Sequence, residues 1–273
     1  MQIWTLPARL TGQPGWYSLQ EESGGEPVTA SVNVAGGNLM VESEDLPNET
    51  ATANVRLDRY YNAQSTTTGG PLSPHWSWDA GPDLYLTDFG ETVVLHGPNG
   101  YVVTLQRSGS TYTAPAEFEG TLTKNANGTY TVAEMSGITI QFNTNGVMTS
   151  YSNAEGKAFT VNDTTLSGLS VLHSLAPVTG KALEVAYSGA HVTTTTDPAG
   201  HIRHYEYNPQ NQLSVYTDPA GHKTEYGYEA AGPLNKITTS NGTVETMTTT
   251  AGRSLKSRSL PKAKPPTKTS LNT

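Results

Sequence analysis

Three glycines, Gly200, Gly221 and Gly242, stand 21 residues apart, and their surroundings keep the same step. Asp197 matches Asp218, Pro198 matches Pro219, Tyr205 matches Tyr226 and Tyr207 matches Tyr228. Leu213, Leu234 and Leu255 continue the period. The two fullest copies read TDPAGHIRHYEYNPQNQL (196–213) and TDPAGHKTEYGYEAAGPL (217–234). A third, TSNGTVETMTTTAGRSL (239–255), keeps the Gly and the Leu but has neither Tyr. A unit this short holds a turn at Asp-Pro-Ala-Gly, a strand with alternating Tyr, a second turn and a strand around the Leu. That is one hairpin per repeat. A lone hairpin is marginal in water, so the copies must pair side by side and bury a shared face.

The rest of the chain carries the same signature in less regular form. Runs of four to seven alternating or β-branched residues end in Gly, Asn or Asp-Pro, as in ETVVLHGPNGYVVTLQR, GTLTKNANGTYTVAEM and GITIQFNTNGVMTSY. Asn99-Gly100, Asn127-Gly128 and Asn145-Gly146 are hairpin signals because both residues tolerate positive φ, and Ala35-Gly36-Gly37-Asn38 is a similar turn. No segment shows sustained helical periodicity. The composition agrees: charged residues are 15%, and Tyr outnumbers Phe by 14 to 4, as suits half-exposed sheet faces. The expected fold is all-β, built of consecutive antiparallel hairpins in a curved or spiralling sheet.

This reading divides the chain into a lead segment (1–30), a β region with degenerate repeats (31–190), the 21-residue repeats (191–252) and a basic tail (253–273). The tail, with six of the sixteen Lys/Arg, no acid and no aromatic residue, is expected to be disordered. Its abrupt onset in mid-repeat suggests a truncation or frameshift relative to a parent with more repeats. All 24 acidic residues lie before residue 252, which argues against nucleic acid or an anionic membrane as main partner. No apolar run approaches the ~20 residues of a membrane span. The start, MQIWTLPARL, lacks the charged and apolar regions of a signal peptide. Cysteine is absent, which removes disulfides, thiolate metal sites and thiol nucleophiles.

The combination of Asp-Pro-x-Gly, a strand with Tyr-x-Tyr, a Gly or Asn and then Leu resembles the YD repeat of the Rhs family, which teneurins and the cocoon subunits of insecticidal toxin complexes share. Upstream, VNVAGGNLMVESEDL (32–46) is similar to the segment that opens the Rhs N-terminal region. LDRYYNAQ (57–64) and HWSWDAGPDLYL (75–86) resemble the Arg-x-Tyr-Asn and Gly-Trp-x-Trp region that follows, with Pro74-His75 where the family has Gly. GVMTSYSNAEGKAFTV (146–161) resembles a degenerate early repeat. The resemblance implies a β-ribbon that spirals into a hollow shell around a C-terminal toxic domain. A self-cleaving core closes that shell in the family; neither core nor toxin is visible among these residues. With about three clear repeats the chain could form part of a shell wall and could not close one. It is therefore expected to be a non-catalytic structural segment, partnered by further repeats and a C-terminal toxin domain of a longer parent, and secreted or displayed on a bacterial surface. The alternative is a carbohydrate-binding or adhesive cell-surface module.

Individual residues divide along the same line. Asp197, Pro198, Gly200, Leu213, Asp218, Pro219, Gly221 and Leu234 have full structural explanations as turn and core positions. Tyr205, Tyr207, Tyr226 and Tyr228 either stabilise the sheet through cross-strand contacts or form a ligand surface. Trp76 and Trp78, on one side of an extended segment within the Pro- and Gly-rich stretch 64–83, either plug a loop onto the sheet or form a sugar-stacking platform. His201 and His222, on adjacent hairpins, could begin a metal site, with Asp197 or Asp218 as the only further candidate ligands. Two His alone do not make a zinc centre. No nucleophile elbow, phosphate loop or zinc-protease helix occurs, so neither a catalytic residue, a metal nor a cofactor is assigned.

Overall fold

The computed structural model describes residues 19–23, 28–33, 38–46, 55–65, 70–116, 118–230, 232–250 and 253–259. Most of the lead segment, the turn at Ala35-Gly36-Gly37 and the tail beyond residue 259 lie outside them. β1 (Leu19–Ser23), β2 (Val28–Asn33), β3 (Leu39–Leu46), β4 (Leu57–Asn62) and β5 (Trp76–Trp78) form an antiparallel sheet in chain order. A single 3-10 turn, Gly81–Asp83, leads out of it.

A long ribbon follows. Its first part comprises β6 (Tyr85–Asp88), β7 (Thr92–His96), β8 (Val102–Ser108), β9 (Thr111–Thr113), β10 (Gly120–Lys124) and β11 (Tyr130–Glu134). Next come β12 (Thr139–Phe142), β13 (Met148–Ser152), β14 (Ala158–Leu166), β15 (Leu169–Pro177), β16 (Leu183–Ser188) and β17 (His191–Thr196). The repeats supply β18 (Ile202–Tyr207), β19 (Leu213–Thr217), β20 (Lys223–Tyr228), β21 (Leu234–Thr238), β22 (Val244–Thr250) and β23 (Arg253–Ser259). Every strand pairs antiparallel with its neighbours in sequence. The ribbon also curls. Tyr85 bridges Val147, and the Leu86 N–H donates to the Gly146 carbonyl at 2.8 Å. Gly146 is required there, since a Cβ would meet the Leu86 carbonyl oxygen at 2.1 Å. No register pair joins β6 to β23 among the described residues, so the ribbon bends without closing into a barrel.

The hairpin turns share one chemistry. In the repeats the Gly200 N–H donates to the Asp197 carbonyl at 2.9 Å, and the Asp197 N–H to the His201 carbonyl at 3.0 Å. The same pair of bonds recurs at Asn125, Glu134, Asn143, Asn153, Asn208, Asp218, Glu229 and Thr239. Leaving aside the turn at Glu229, this is the three-residue loop in which the last residue turns left-handed. The first-position side chain completes it. Asp197 Oδ1 accepts from the N–H groups of Ala199 and His201, both at 2.9 Å. Asn143, Asn153 and Asn208 do the same in their own turns. The Asp and Asn before each Gly thus act as side-chain closures of the turn. Sequence reasoning read each Asn-Gly pair as a hairpin turn whose two residues tolerate positive φ, and each pair does sit in a hairpin turn. Only the glycine adopts positive φ: Gly100, Gly128 and Gly146 do, and Asn99, Asn127 and Asn145 do not. The loop is one residue longer than the two-residue hairpin, so a single left-handed position suffices.

Two of the sequence divisions fall within paired elements. The division at residues 30/31 cuts β2, and the sheet ends with β5 well inside the expected 31–190 region. Within the stretch expected to resist pairing, Trp76–Trp78 pairs with β4 as the short edge strand β5. The boundary at 252/253 cuts the third hairpin: β23 pairs with β22 from Arg253↔Thr250 to Ser259↔Val244. Ladder bonds are backbone bonds, so a polar, basic sequence can complete a hairpin whose other strand is already ordered.

The turns give a direct test. Asp218→Asn should leave stability nearly unchanged at neutral pH, because Asn already closes the sister turns. Asp218→Ala removes accepted N–H bonds and should cost about 1–2 kcal/mol in urea unfolding. Gly221, at φ +87, should lose about 1–2 kcal/mol as Ala and less as Asn, since Asn211 holds the same turn position at φ 60. Burial opposes ionisation of Asp218, but the His222 ring and backbone N–H outweigh it and hold its carboxyl below the usual range. A depressed acid contributes stability present above the unfolded pKa of ~4 and lost as pH falls through the folded value. Below about pH 4 the wild type should therefore lose stability faster than Asp218→Asn.

Candidate functional site

The N-terminal sheet lies against the inner face of the repeats, and Arg59 stands at the centre of the contact. On β4, Leu57, Arg59 and Tyr61 share one face, and all three are buried, Arg59 at 0% exposure. The guanidinium sits over four rings: Trp76 at 5.1 Å, Tyr205 at 5.4 Å, Tyr216 at 4.6 Å and Tyr226 at 5.7 Å from the ring centroids. Its Nη2 approaches Asp45 Oδ1 at 3.3 Å. The same nitrogen donates to the Tyr226 hydroxyl at 3.1 Å and to Ser43 Oγ at 3.2 Å. Nε and Nη1 have no oxygen acceptor; the packed rings stand in that place, which suits a planar, weakly hydrated cation. Asp45 is held from the repeat side as well, by the Tyr205 hydroxyl donating at 2.8 Å.

Burial pushes the Asp45 carboxyl up, against Arg59 and the Tyr205 hydroxyl. Burial works most strongly against the charge of Arg59, but Asp45 together with the phenols of Tyr226, Tyr205 and Tyr216 offsets it, and the guanidinium stays protonated. The phenol of Tyr226 is raised by burial. The chemistry of this group is therefore cohesive: a charge pair, two phenol hydroxyls and a serine are turned toward one another and away from water, although Arg59 Nε and Nη1 and Asp45 Oδ1 have no hydrogen-bond partner.

Further bonds cross the same contact. Trp76 Nε1 donates to the Tyr228 hydroxyl at 3.0 Å, and that hydroxyl donates to the Leu213 carbonyl at 2.7 Å. The Leu234 N–H donates to the Tyr61 hydroxyl at 2.9 Å. Trp76 meets Tyr226 edge-on at 5.0 Å, and Trp78 meets Tyr205 at 6.3 Å. Beside β4 a second cluster binds the sheet to β13 of the ribbon. Arg56 reaches Asp58 at 3.1 Å and Asp79 at 2.9 Å and lies 5.2 Å over the Tyr151 ring. Burial pushes the carboxyls of Asp58 and Asp79 up, opposed by Arg56.

Two stretches of the chain thus meet at Arg59, and each matches a family model. The model described as RHS Repeat matches residues 187–223 and 207–244. Residues 187–244 are Rhs repeats. The second model, described as a domain of unknown function (DUF6531), matches residues 29–105. No curated protein matches the chain. The Rhs repeats contribute Tyr205, Tyr216 and Tyr226 to the cage, and the other matched segment contributes Asp45, Arg59 and Trp76.

The sequence-assigned residues of the Rhs repeats fall into place unevenly. Leu213 and Leu234 are core residues. Asp197, Pro198 and Gly200, like Asp218, Pro219 and Gly221, occupy turns. The candidate ligand surface is not a surface: Trp76 and Trp78 are 1% exposed, Tyr205 4% and Tyr226 5%. Tyr207 and Tyr228 are half-buried, with hydroxyls committed to the carbonyls of Pro71 and Leu213. The rings face inward because the N-terminal sheet covers them. Nor do Tyr205 and Tyr226 pair directly: Tyr216 is the cross-strand neighbour of Tyr205, and Ile237 that of Tyr226. His201 and His222 do not join in a metal site. Each Nδ1 is bonded to its own turn carboxylate, at 3.0 Å to Asp197 and 2.9 Å to Asp218.

Sequence reasoning missed Asp45, Ser43, Tyr216 and the role of Arg59. One signal was present: an arginine flanked at ±2 by Leu57 and Tyr61 on a short strand has an apolar face for surroundings.

Arg59→Met should cost about 3–5 kcal/mol, because it strands the buried Asp45 carboxylate. Adding Asp45→Asn should recover part of that loss, and the recovery measured in a double-mutant cycle is the coupling of the pair. Arg59→Lys should not substitute, since an ammonium cannot spread across four rings. Equal destabilisation by the single and double variants would contradict this account.

Proposed function

We propose that the chain is a non-catalytic wall segment of a larger β-shell, in which the ribbon continues into further repeats of a longer parent and the enclosed space holds or presents a C-terminal toxin domain. One observation supports the reading most directly. From β6 to β23 each strand pairs with its sequence neighbours, so another hairpin can be added at the end without rearranging those before it. In this proposal the N-terminal sheet fills the interior of its own stretch of wall, with Arg59 as the tie, and cargo occupies space beyond it. Secretion or display on a bacterial surface follows from the same reading, since an enclosed toxin acts outside the cell that makes it. The carbohydrate-adhesive alternative at the Trp and Tyr faces lacks support, because those rings are covered.

The test is to sequence through the gene beyond codon 273 and image the encoded product by electron microscopy. A longer repeat array ending in a variable domain, with density inside a continuous wall, is the expected result. A product without further repeats, or with its C-terminal domain outside the wall, would overturn the proposal.

A further inference from the structure

Alternation along β14 puts Phe159, Val161 and Asp163 on one face, and Phe159 and Val161 pack into the core. A carboxyl thus continues an apolar row. Leu172 stands opposite it, beside a bulge at His173 that shifts the register of β15. Asp163 Oδ1 is buried and has no hydrogen-bond partner. A buried polar atom left unpaired requires an explanation.

What packs on this spot is the 3-10 turn Gly81–Asp83, by which the N-terminal sheet leads into the ribbon; it lies against β13, β14 and β15. The approach is close: a Cβ on Gly81 would stand 3.2 Å from Leu172 Cβ and 3.4 Å from Asp163 Oδ1. The turn brings a second carboxyl with it. Asp83 Oδ2 accepts from the Trp78 N–H at 2.8 Å, which ties the turn back to β5. Asp83 and Asp163 take part in no ion pair among the described residues. The cations nearby are engaged elsewhere, Arg56 by Asp58 and Asp79 and over the Tyr151 ring of β13. From β15, His173 is exposed and lies 3.9 Å from Glu184. The remaining titratable neighbours are phenols, Tyr85 of β6 and Tyr187 of β16, each raised by burial and then by the charge of Asp83. The Tyr187 hydroxyl is committed to the Leu172 carbonyl.

We propose that this contact is a proton-operated latch: with Asp83 and Asp163 protonated the turn is held on β14 and β15, and with both ionised the exit of the N-terminal sheet loosens from the ribbon. A protonated carboxyl gains an O–H donor, the group that an unpaired carboxylate oxygen lacks. Two carboxylates side by side, partly buried and without a cation, repel and lose hydration. Burial pushes Asp83 up to about 6, against the Trp78 N–H and with the charge of Asp163 adding to the rise. Burial likewise pushes Asp163 up to about 6, against a hydrogen bond from Ser170. Both stand above the unfolded carboxyl value of ~4. Their contribution to stability is therefore complete below about pH 4 and is lost as pH rises through about 6. This is opposite in sign to Asp218, whose depressed carboxyl weakens its turn on acidification. The latch does not rest on the shell reading.

The test uses the purified full chain. Carbon NMR of the side-chain carboxyls should give titration midpoints near 6 for both acids; a midpoint below about 4.5 for either, the ordinary range, would overturn the proposal. Hydrogen exchange of peptides covering 78–86 and 159–173, corrected for intrinsic rates, reads the latch itself. Their protection should fall by about tenfold or more between roughly pH 5 and pH 8, one unit of pKa shift being worth tenfold. Asp83→Asn keeps an oxygen for the Trp78 N–H and cannot ionise. It should match the wild type near pH 5 and protect these peptides about tenfold better near pH 8. Asp163→Asn should behave alike and serves as the test if Asp83→Asn does not fold. Wild-type protection that stays level across this range, or variants that shift protection equally at both pH values, would show a purely structural contact and no latch.

Discussion

A guanidinium with no exposure to water is the constraint around which this molecule is organised. Taking a charge out of water costs several kcal/mol even after relaxation, so Arg59 can lie where it does only if everything around it is in place. Asp45 and Ser43 come from the neighbouring strand, Trp76 from β5, and Tyr205, Tyr216 and Tyr226 from three strands of the repeats. An apolar contact of similar size would tolerate sliding. This one does not, because displacing the sheet by one residue along the ribbon would separate the Asp45 carboxylate from both Arg59 and the Tyr205 hydroxyl. The buried pair adds little net stability over an apolar one; it fixes which sheet faces which hairpins.

The ribbon solves a different problem. At Asp197, Asp218, Asn143, Asn153 and Asn208 the hairpin is closed by its own first-position side chain and a left-handed glycine or asparagine, so the turn needs nothing from the rest of the molecule. That local completeness lets sequences as different as NANGT and DPAGH make the same loop. It also fits what the two fullest copies share: Asp and Gly build the turn, and Tyr and Leu build the face that meets the sheet.

How far the fold was legible follows from this division. Local chemistry was readable: the 21-residue period, the strand alternation and the turn residues led to antiparallel hairpins in chain order. What could not be read was the partner of the inner face. Tyr205 and Tyr226 have the same sequence appearance whether they look onto solvent, cargo or another sheet, because amphipathic alternation marks a face without naming what covers it. Trp76 and Trp78 were ambiguous for the same reason. Their burial depends on contacts more than 120 residues away in the chain, as the Trp76–Tyr228 bond at a separation of 152 illustrates. Tyr216 and Asp45 went unnoticed because each gains meaning only beside Arg59. The end of the ribbon erred in the other direction, since polar composition at 253–259 concealed a strand that backbone pairing alone can hold.

The separation between Arg59 and Tyr226, 167 residues, also sets a timetable. A ribosome adds about 5–20 residues per second, so the strand bearing Arg59 leaves the exit tunnel on the order of ten seconds before the last wall of its cage exists. During that interval the arginine must remain hydrated, and the Trp face beside it has no cover. The N-terminal sheet is made first and finished last, so the nascent chain waits with an open polar centre for its own repeats to arrive.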